Sequence, residues 1–119
     1  MTIGTHKITF GDFTLDTDTS TLWKNGKKIS LSPREFDVLT YLVTHQGMSV
    51  TASTIYNDLW KNTSGDCKVV AVYIQRLRKK LEEDPSSAVF ITTEYGNGYR
   101  FNTPPLALQN QAGNAGAAM

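Results

Sequence analysis

Polar and apolar positions alternate at the start of the chain. Lys7-Ile8-Thr9-Phe10 alternates, Gly11-Asp12 interrupts, and Phe13-Thr14-Leu15-Asp16 alternates again. A period of two is that of a strand with one buried face. Thr21-Leu22-Trp23-Lys24 leads into Asn25-Gly26, a pair that tolerates the positive φ angles of a tight hairpin, and Lys27-Lys28-Ile29-Ser30-Leu31 returns. The pattern predicts a four-stranded antiparallel meander with Ile8, Phe10, Phe13, Leu15, Leu22, Ile29 and Leu31 on its inner face.

At Ser32 the period changes. Ser32-Pro33-Arg34-Glu35 combines an N-cap, a proline at the first helical position and the glutamate of a capping box. Phe36, Leu39, Leu42 and Val43 follow at helical spacing, and Gln46-Gly47 ends the run. Thr51 opens a short helix with Ile55, Leu59 and Trp60 toward the inside. After the polar residues Asn62-Thr63-Ser64-Gly65, the longest helix is predicted over residues 66–83, stopped by Asp84-Pro85. Residues 89–93 and 99–101 read as strands joined by the tip Gly96-Asn97-Gly98. The expected fold is α+β: a four-stranded antiparallel sheet, three helices and a closing hairpin.

The third helix divides into two faces. At about 100° per residue, Val70, Ile74, Leu77 and Leu81 share a narrow apolar sector. Lys68, Val72, Gln75, Arg76 and Lys79 lie opposite, with Tyr73 and Arg78 on the flanks. From residue 67 to residue 81 the cations Lys68, Arg76, Arg78, Lys79 and Lys80 occur without an acid. This surface suits a DNA major groove, where Arg and Lys pair with guanine, Gln with adenine, and an aliphatic group with the thymine methyl. A merely solvated face is the plain alternative, but it explains neither the missing i,i+4 ion partners nor Val72 amid the polar positions. Gly96-Asn97-Gly98 suits a projecting tip near a minor groove, although glycines alone would equally make a simple turn.

Charge refines this picture. The chain has 119 residues with 12 basic and 11 acidic side chains, net +1. The total does not suggest a nucleic-acid binder; the clustering on one helix does, since a phosphate backbone meets the local field. Thr103 onward carries neither charge nor aromatic residue. The expected organisation is a flexible N-terminus over residues 1–5, one domain over 6–103 and a disordered tail over 104–119. Cys67 is the one cysteine, which excludes an internal disulfide, and no apolar run reaches the roughly 20 residues of a membrane span. The cytoplasm is the expected compartment. Cys67, His6 and His45 make neither a nucleophilic triad nor a metal-ligand spacing, and there is no Gly-rich phosphate loop. No enzyme activity, metal or cofactor is expected.

Three segments together carry a family resemblance. Ser32-Pro33-Arg34-Glu35-Phe36-Asp37-Val38-Leu39, Gln75-Arg76-Leu77-Arg78-Lys79-Lys80-Leu81 and Gly96-Asn97-Gly98-Tyr99-Arg100-Phe101 resemble the signature segments of the OmpR/PhoB-type winged-helix effector domain of bacterial response regulators. The resemblance covers about residues 6–103. It implies a winged helix-turn-helix that binds specific double-stranded DNA in transcription regulation within a two-component system. Lys68, Val72 and Arg76 match positions that reach bases or nearby phosphates, and Gln75 and Lys79 share their face. Trp60, Tyr73 and Arg78 match backbone-contacting or backbone-adjacent positions, while Thr93 and the wing-tip residues Tyr95 and Asn97 match the minor-groove contacts. Lys61, Asn62, Thr63, Ser64, Gly65 and Asp66 match the segment that touches RNA polymerase. The family commonly has arginine in place of Tyr95, an apolar residue in place of Glu94 and a base in place of Gln75. The implied partners are direct-repeat half-sites bound by a head-to-tail dimer that is monomeric when free, and a receiver domain or sensor kinase pathway in a longer chain. Two alternatives share the fold: a protein-interaction module without DNA binding, for which the third helix would be apolar outside, and the cytoplasmic head of a membrane-anchored regulator. Duplex RNA fits less well, because its major groove does not admit a helix.

Overall fold

The computed structural model describes residues 7–61 and 65–102. The expected flexible N-terminus and tail, and Asn62, Thr63 and Ser64 of the expected polymerase segment, lie outside the described residues. The described chain falls into two units, residues 7–31 and 32–102.

The first unit is an antiparallel sheet of β1 (Lys7–Phe10), β2 (Phe13–Asp16), β3 (Thr21–Lys24) and β4 (Lys27–Ile29), in that spatial order. Asn25 and Gly26 adopt φ angles of 51° and 82°, as the β3–β4 hairpin turn requires. The register aligns Ile8, Leu15, Leu22 and Ile29 in one row across all four strands. Leu15 and Leu22, on the central strands, are fully buried, as are Phe10 and Phe13, which stack with centroids 5.2 Å apart. Ile8, Ile29 and Leu31, expected on the inner face, are only half-buried. Ile8 and Ile29 lie on edge strands and have a cross-strand neighbour on one side alone.

The second unit is built from α1 (Pro33–Thr44), β5 (Ser49–Val50), α2 (Ala52–Leu59), α3 (Lys68–Leu81), a 3-10 turn at Pro85–Ser87, β6 (Ile91–Glu94) and β7 (Gly98–Phe101). Both halves of the α1 capping box form: the Glu35 amide donates to Ser32 Oγ at 3.2 Å and the Ser32 amide to Glu35 Oε1 at 2.9 Å. Phe36, Val38, Leu39, Leu42 and Val43 are buried. Val38, absent from the expected stripe, widens it. Thr51 caps α2 by accepting from the Thr54 amide at 3.1 Å. Ile55 is the buried residue of α2, while Leu59 and Trp60 are half-buried. The Tyr41 hydroxyl donates to the Asp58 carboxylate, tying α1 to α2; burial, that hydrogen bond and the Asp58 charge push Tyr41 up to about 12. The α3 seam of Val70, Ile74, Leu77 and Leu81 is entirely buried, as its spacing predicts.

The helix α3 is shorter than its predicted span. At its start the Asp66 carboxylate accepts from the Lys68 amide at 2.9 Å, so Asp66 stands before the helix. At its end Glu82 turns out of helical geometry before Asp84-Pro85 is reached. Its buried carboxylate accepts from the amides of Val89, Phe90 and Ile91 at 2.8, 2.9 and 3.0 Å. The strand β6 starts at Ile91, the last of these three residues, rather than at Val89. The second sheet has the order β5-β7-β6. Its third strand, Ser49–Val50, is too short to leave a period in the sequence. Gly98 (φ 100°) lies so close to β5 that a Cβ there would overlap the Val50 carbonyl and sit 2.5 Å from Thr51 Cα.

Candidate nucleic-acid interface

Opposite its buried seam, α3 presents Lys68, Val72, Gln75, Arg76 and Lys79, all exposed. Val72 is 43% exposed, one helical turn from Lys68 on one side and from Arg76 on the other. Asp66 lies just before the helix, with its carboxylate 4.0 Å from Lys68 Nζ, an exposed pair that contributes little. Lys80 is withdrawn from this surface. Its ammonium donates to buried Glu35 Oε1 at 2.7 Å and so ties α3 to the first turn of α1. Burial alone would raise the Glu35 carboxyl. The Lys80 hydrogen bond, the Ser32 amide and the nearby positive charges outweigh it and hold Glu35 below the ordinary carboxylate value.

The two flanking residues are engaged differently. Arg78 Nε donates to the Ile91 carbonyl at 3.0 Å and a terminal nitrogen to Thr93 Oγ1 at 2.8 Å, with the guanidinium 5.9 Å from the Tyr99 ring centroid. Arg78 and Thr93, expected separately as site residues, are thereby joined, and their contact fixes the hairpin to the helix. Tyr73 carries the Arg76 guanidinium 5.2 Å from its ring centroid, and its other neighbour is Trp60, 5.7 Å away. Trp60 stacks on Tyr56 at 5.4 Å and receives the Arg34 guanidinium at 4.3 Å. Arg34 also donates to the Leu59 carbonyl at 2.7 Å, capping the end of α2. Thus Arg34, Trp60, Tyr73 and Arg76 form a continuous cation–aromatic–aromatic–cation file.

In the hairpin Thr93, Tyr95 and Asn97 are exposed. The Asn97 amide donates to the Glu94 carbonyl at 2.7 Å and closes the turn. Glu94 does not stand free: its carboxylate pairs with Arg100 at 3.4 Å, which offsets the repulsion a carboxylate there would exert on phosphates. Lys61, Gly65 and Asp66 are exposed; a Cβ on Gly65 would lie 2.5 Å from the Tyr56 hydroxyl. Cys67 is half-buried, its sulfur 3.9 Å from the Ser53 hydroxyl. Among the described residues no group of His, Cys, Asp and Glu could hold a metal ion, and no helix is long and apolar enough to cross a membrane.

Sequence reasoning did not single out Arg34, Tyr56, Glu82 or Arg100. Tyr56 and Trp60 are spaced i,i+4 on adjoining turns, a signal that could have exposed their stack. The other three act through contacts distant in sequence or on the neighbouring strand.

The family model "Transcriptional regulatory protein, C terminal" matches residues 26–101. The chain belongs to this family. Solved structures similar to this domain include response-regulator DNA-binding domains of the OmpR/PhoB family. The response regulator DrrB of Thermotoga maritima, an OmpR/PhoB homolog, is 32% identical with a TM-score of 0.76, over 82% of this chain and 44% of that one. The Klebsiella pneumoniae RstA DNA-binding domain, solved in complex with the RstA box, is 33% identical with a TM-score of 0.73, over 81% of this chain and 96% of that one. The DNA-binding domain of Escherichia coli CadC is 28% identical with a TM-score of 0.71, over 81% and 91%. The chain therefore spans less than half of the DrrB chain and nearly all of the RstA domain. The fold is the winged helix of OmpR/PhoB effector domains, and fold and family are those of a DNA-binding regulatory domain rather than an enzyme.

Proposed function

We propose that this effector domain binds double-stranded DNA in a sequence-dependent way to regulate transcription, with α3 in the major groove and the β6–β7 wing beside the minor groove. The observation that carries the reading is the outer face of α3: Lys68, Val72, Gln75, Arg76 and Lys79 exposed opposite a fully buried seam. Similarity to a domain solved on its DNA box supports it. In this reading Arg76, Gln75 and Val72 reach base edges, Lys68 and Lys79 reach phosphates, and Trp60 and Tyr73 approach the backbone. Arg78 acts by holding the wing, and Thr93 and Asn97 face the minor-groove side. Lys61, Gly65 and Asp66 belong to a surface for RNA polymerase, and a receiver domain or sensor kinase pathway supplies the signal in a longer cytoplasmic chain. A protein-interaction module would present an apolar α3 face, which this face is not.

Enrichment of duplexes from a random pool, followed by titration over a salt series, tests the reading. Several phosphate contacts give a log–log slope of several units, roughly 0.9 per phosphate neutralised. Arg76→Ala is expected to weaken the enriched duplex more than a scrambled one, since a bidentate base contact discriminates by about 1–3 kcal/mol. No enriched sequence and a flat salt response would refute DNA binding. Equal losses on both duplexes would assign Arg76 to phosphate.

A further inference from the structure

A guanidinium discriminates between bases only when its plane is held in the direction of their edges. Arg76 is exposed on α3, and its long side chain has many rotamers to lose on binding. Among the described residues no hydrogen-bond acceptor holds the Arg76 guanidinium. It lies against the ring of Tyr73, three residues earlier on the helix, 5.2 Å from the centroid. An exposed contact of that kind is weak by itself. Its value depends on how firmly the ring is held.

Behind Tyr73 the support strengthens. Its ring meets Trp60 at 5.7 Å with a tilt of 52°. Trp60 closes α2: its amide donates to the Tyr56 carbonyl at 2.8 Å, and its ring stacks on the Tyr56 ring at 5.4 Å. Arg34 holds the same indole from α1. Its guanidinium lies 4.3 Å from the Trp60 ring centroid while a terminal nitrogen donates to the Leu59 carbonyl at 2.7 Å and stands 3.8 Å from the Asp37 carboxylate. Arg34 is therefore fixed by a stack, a hydrogen bond and an ion pair, and Arg76 by a stack alone. Arg34, Trp60 and Tyr73 are half-buried and Arg76 is exposed, so the file runs from an anchored end to an open one.

We propose that Arg34 is a positioning residue for Arg76, acting through the rings of Trp60 and Tyr73 to hold the Arg76 guanidinium toward its base. The inference rests on the reading of α3 as the major-groove helix. A side chain already restricted to its bound direction loses less freedom on binding, and the saving is largest for the base pair it was aimed at. Removing the anchor loosens the indole, then the Tyr73 ring, then the guanidinium. Arg34 thereby sets sequence preference from a helix that reads no base.

The test uses a duplex enriched from a random pool and its single base-pair variants. Arg76→Ala first identifies the base pair at which discrimination is lost. Arg34→Met keeps the apolar stem without the charge, the plane or the donor. It is expected to lose about two- to fivefold of discrimination at that same base pair, the size of an exposed cation–π contact, and none at the others. In the Arg76→Ala background it is expected to change no preference, since residues acting through one another are not additive. Arg34→Lys keeps the charge and a donor for the Leu59 carbonyl but not the flat group that stacks. It is expected to melt like the parent and still lose discrimination. Trp60 emission, read in a Trp23→Phe background, is expected to change in both Arg34 variants. Unchanged emission, or an affinity loss equal on every duplex, would overturn the proposal and leave Arg34 as a cap of α2. So would parent-like discrimination in both Arg34 variants beside an Arg76→Ala that has lost its base, with the α3 reading left standing. If Arg76→Ala alters no preference at all, the α3 reading falls and the proposal with it.

Discussion

The side chain of Arg78, on α3, donates to the hydroxyl of Thr93, on β6, at 2.8 Å, and its Nε holds the Ile91 carbonyl at 3.0 Å. In the proposed binding mode these two surfaces meet adjacent grooves, and one planar group fastens them together. Lysine carries the same charge but cannot reproduce the two-pronged geometry. Arg78→Lys is expected to weaken cognate binding by about 1–2 kcal/mol, in the range of a partly exposed charge-assisted hydrogen bond, and to speed amide exchange in Ile91–Glu94. Its order of base preferences stays that of the parent, because Arg76 is untouched. A changed preference with unaltered exchange would show instead that Arg78 reads bases.

The Lys80–Glu35 link gives acid sensitivity with a definite sign. Glu35 titrates below its ordinary value of 4.5 in the folded domain. Its contribution to stability is complete above that ordinary value and is lost as pH falls through the lower folded value. Glu35→Gln keeps the shape but removes the charge. At neutral pH the variant is expected to be about 1–2 kcal/mol less stable, since Lys80 is one-third exposed and partly screened. Denaturant titrations from pH 7 downward should show the gap closing below pH ~4.5. A gap that is constant with pH would mean that Gln loses packing rather than charge.

The reading of the fold from sequence succeeded where the determinant is local. Asn25-Gly26 must accept two positive φ angles, Ser32 and Glu35 lie three residues apart, and the seam of α3 repeats with the helical period. It fell short where a distant partner decides. The Glu82 carboxylate ends α3 early because three amides seven to nine residues away need an acceptor. Likewise, β5 exists only because β7 pairs with it. At the candidate site the exposed face of α3 was legible from charge and periodicity, but the file through Arg34, Trp60 and Tyr73 was not, since it joins three helices. Lys80 shows the converse: its charge belonged to the basic run, while its position ties it to Glu35.

Leu77 separates fold from interface on α3. It is fully buried in the seam, one residue from exposed Arg76. Leu77→Ala is expected to cost about 2–5 kcal/mol of stability through the cavity it leaves, and to lose DNA binding in proportion to unfolding. Thermal melting with and without the enriched duplex checks this. A variant that melts like the parent and fails to bind would place Leu77 at the interface.

The arrangement of two copies on DNA is a separate question, for which the resemblance to the OmpR/PhoB family implies a head-to-tail pair as an expectation. The large apolar side chains that stand exposed among the described residues, Trp23, Met48, Val72, Val89 and Tyr95, are scattered along the sequence rather than arrayed on one helix as a heptad seam. Such residues give little drive toward a stable free dimer, which needs a contiguous interface. On DNA the requirement is smaller. A duplex holding two domains side by side raises their effective concentration, and weak contacts between neighbours then suffice. A head-to-tail contact joins two different surfaces and places half-sites in the same orientation, whereas a two-fold dimer requires a palindrome. The domain is therefore expected to be monomeric by mass in solution and to bind a direct repeat more tightly than two independent half-sites allow. Titrations on a single half-site, a direct repeat and an inverted repeat decide the matter. Preference for the inverted repeat, or a stable dimer without DNA, would move the domain to a two-fold symmetric mode of binding.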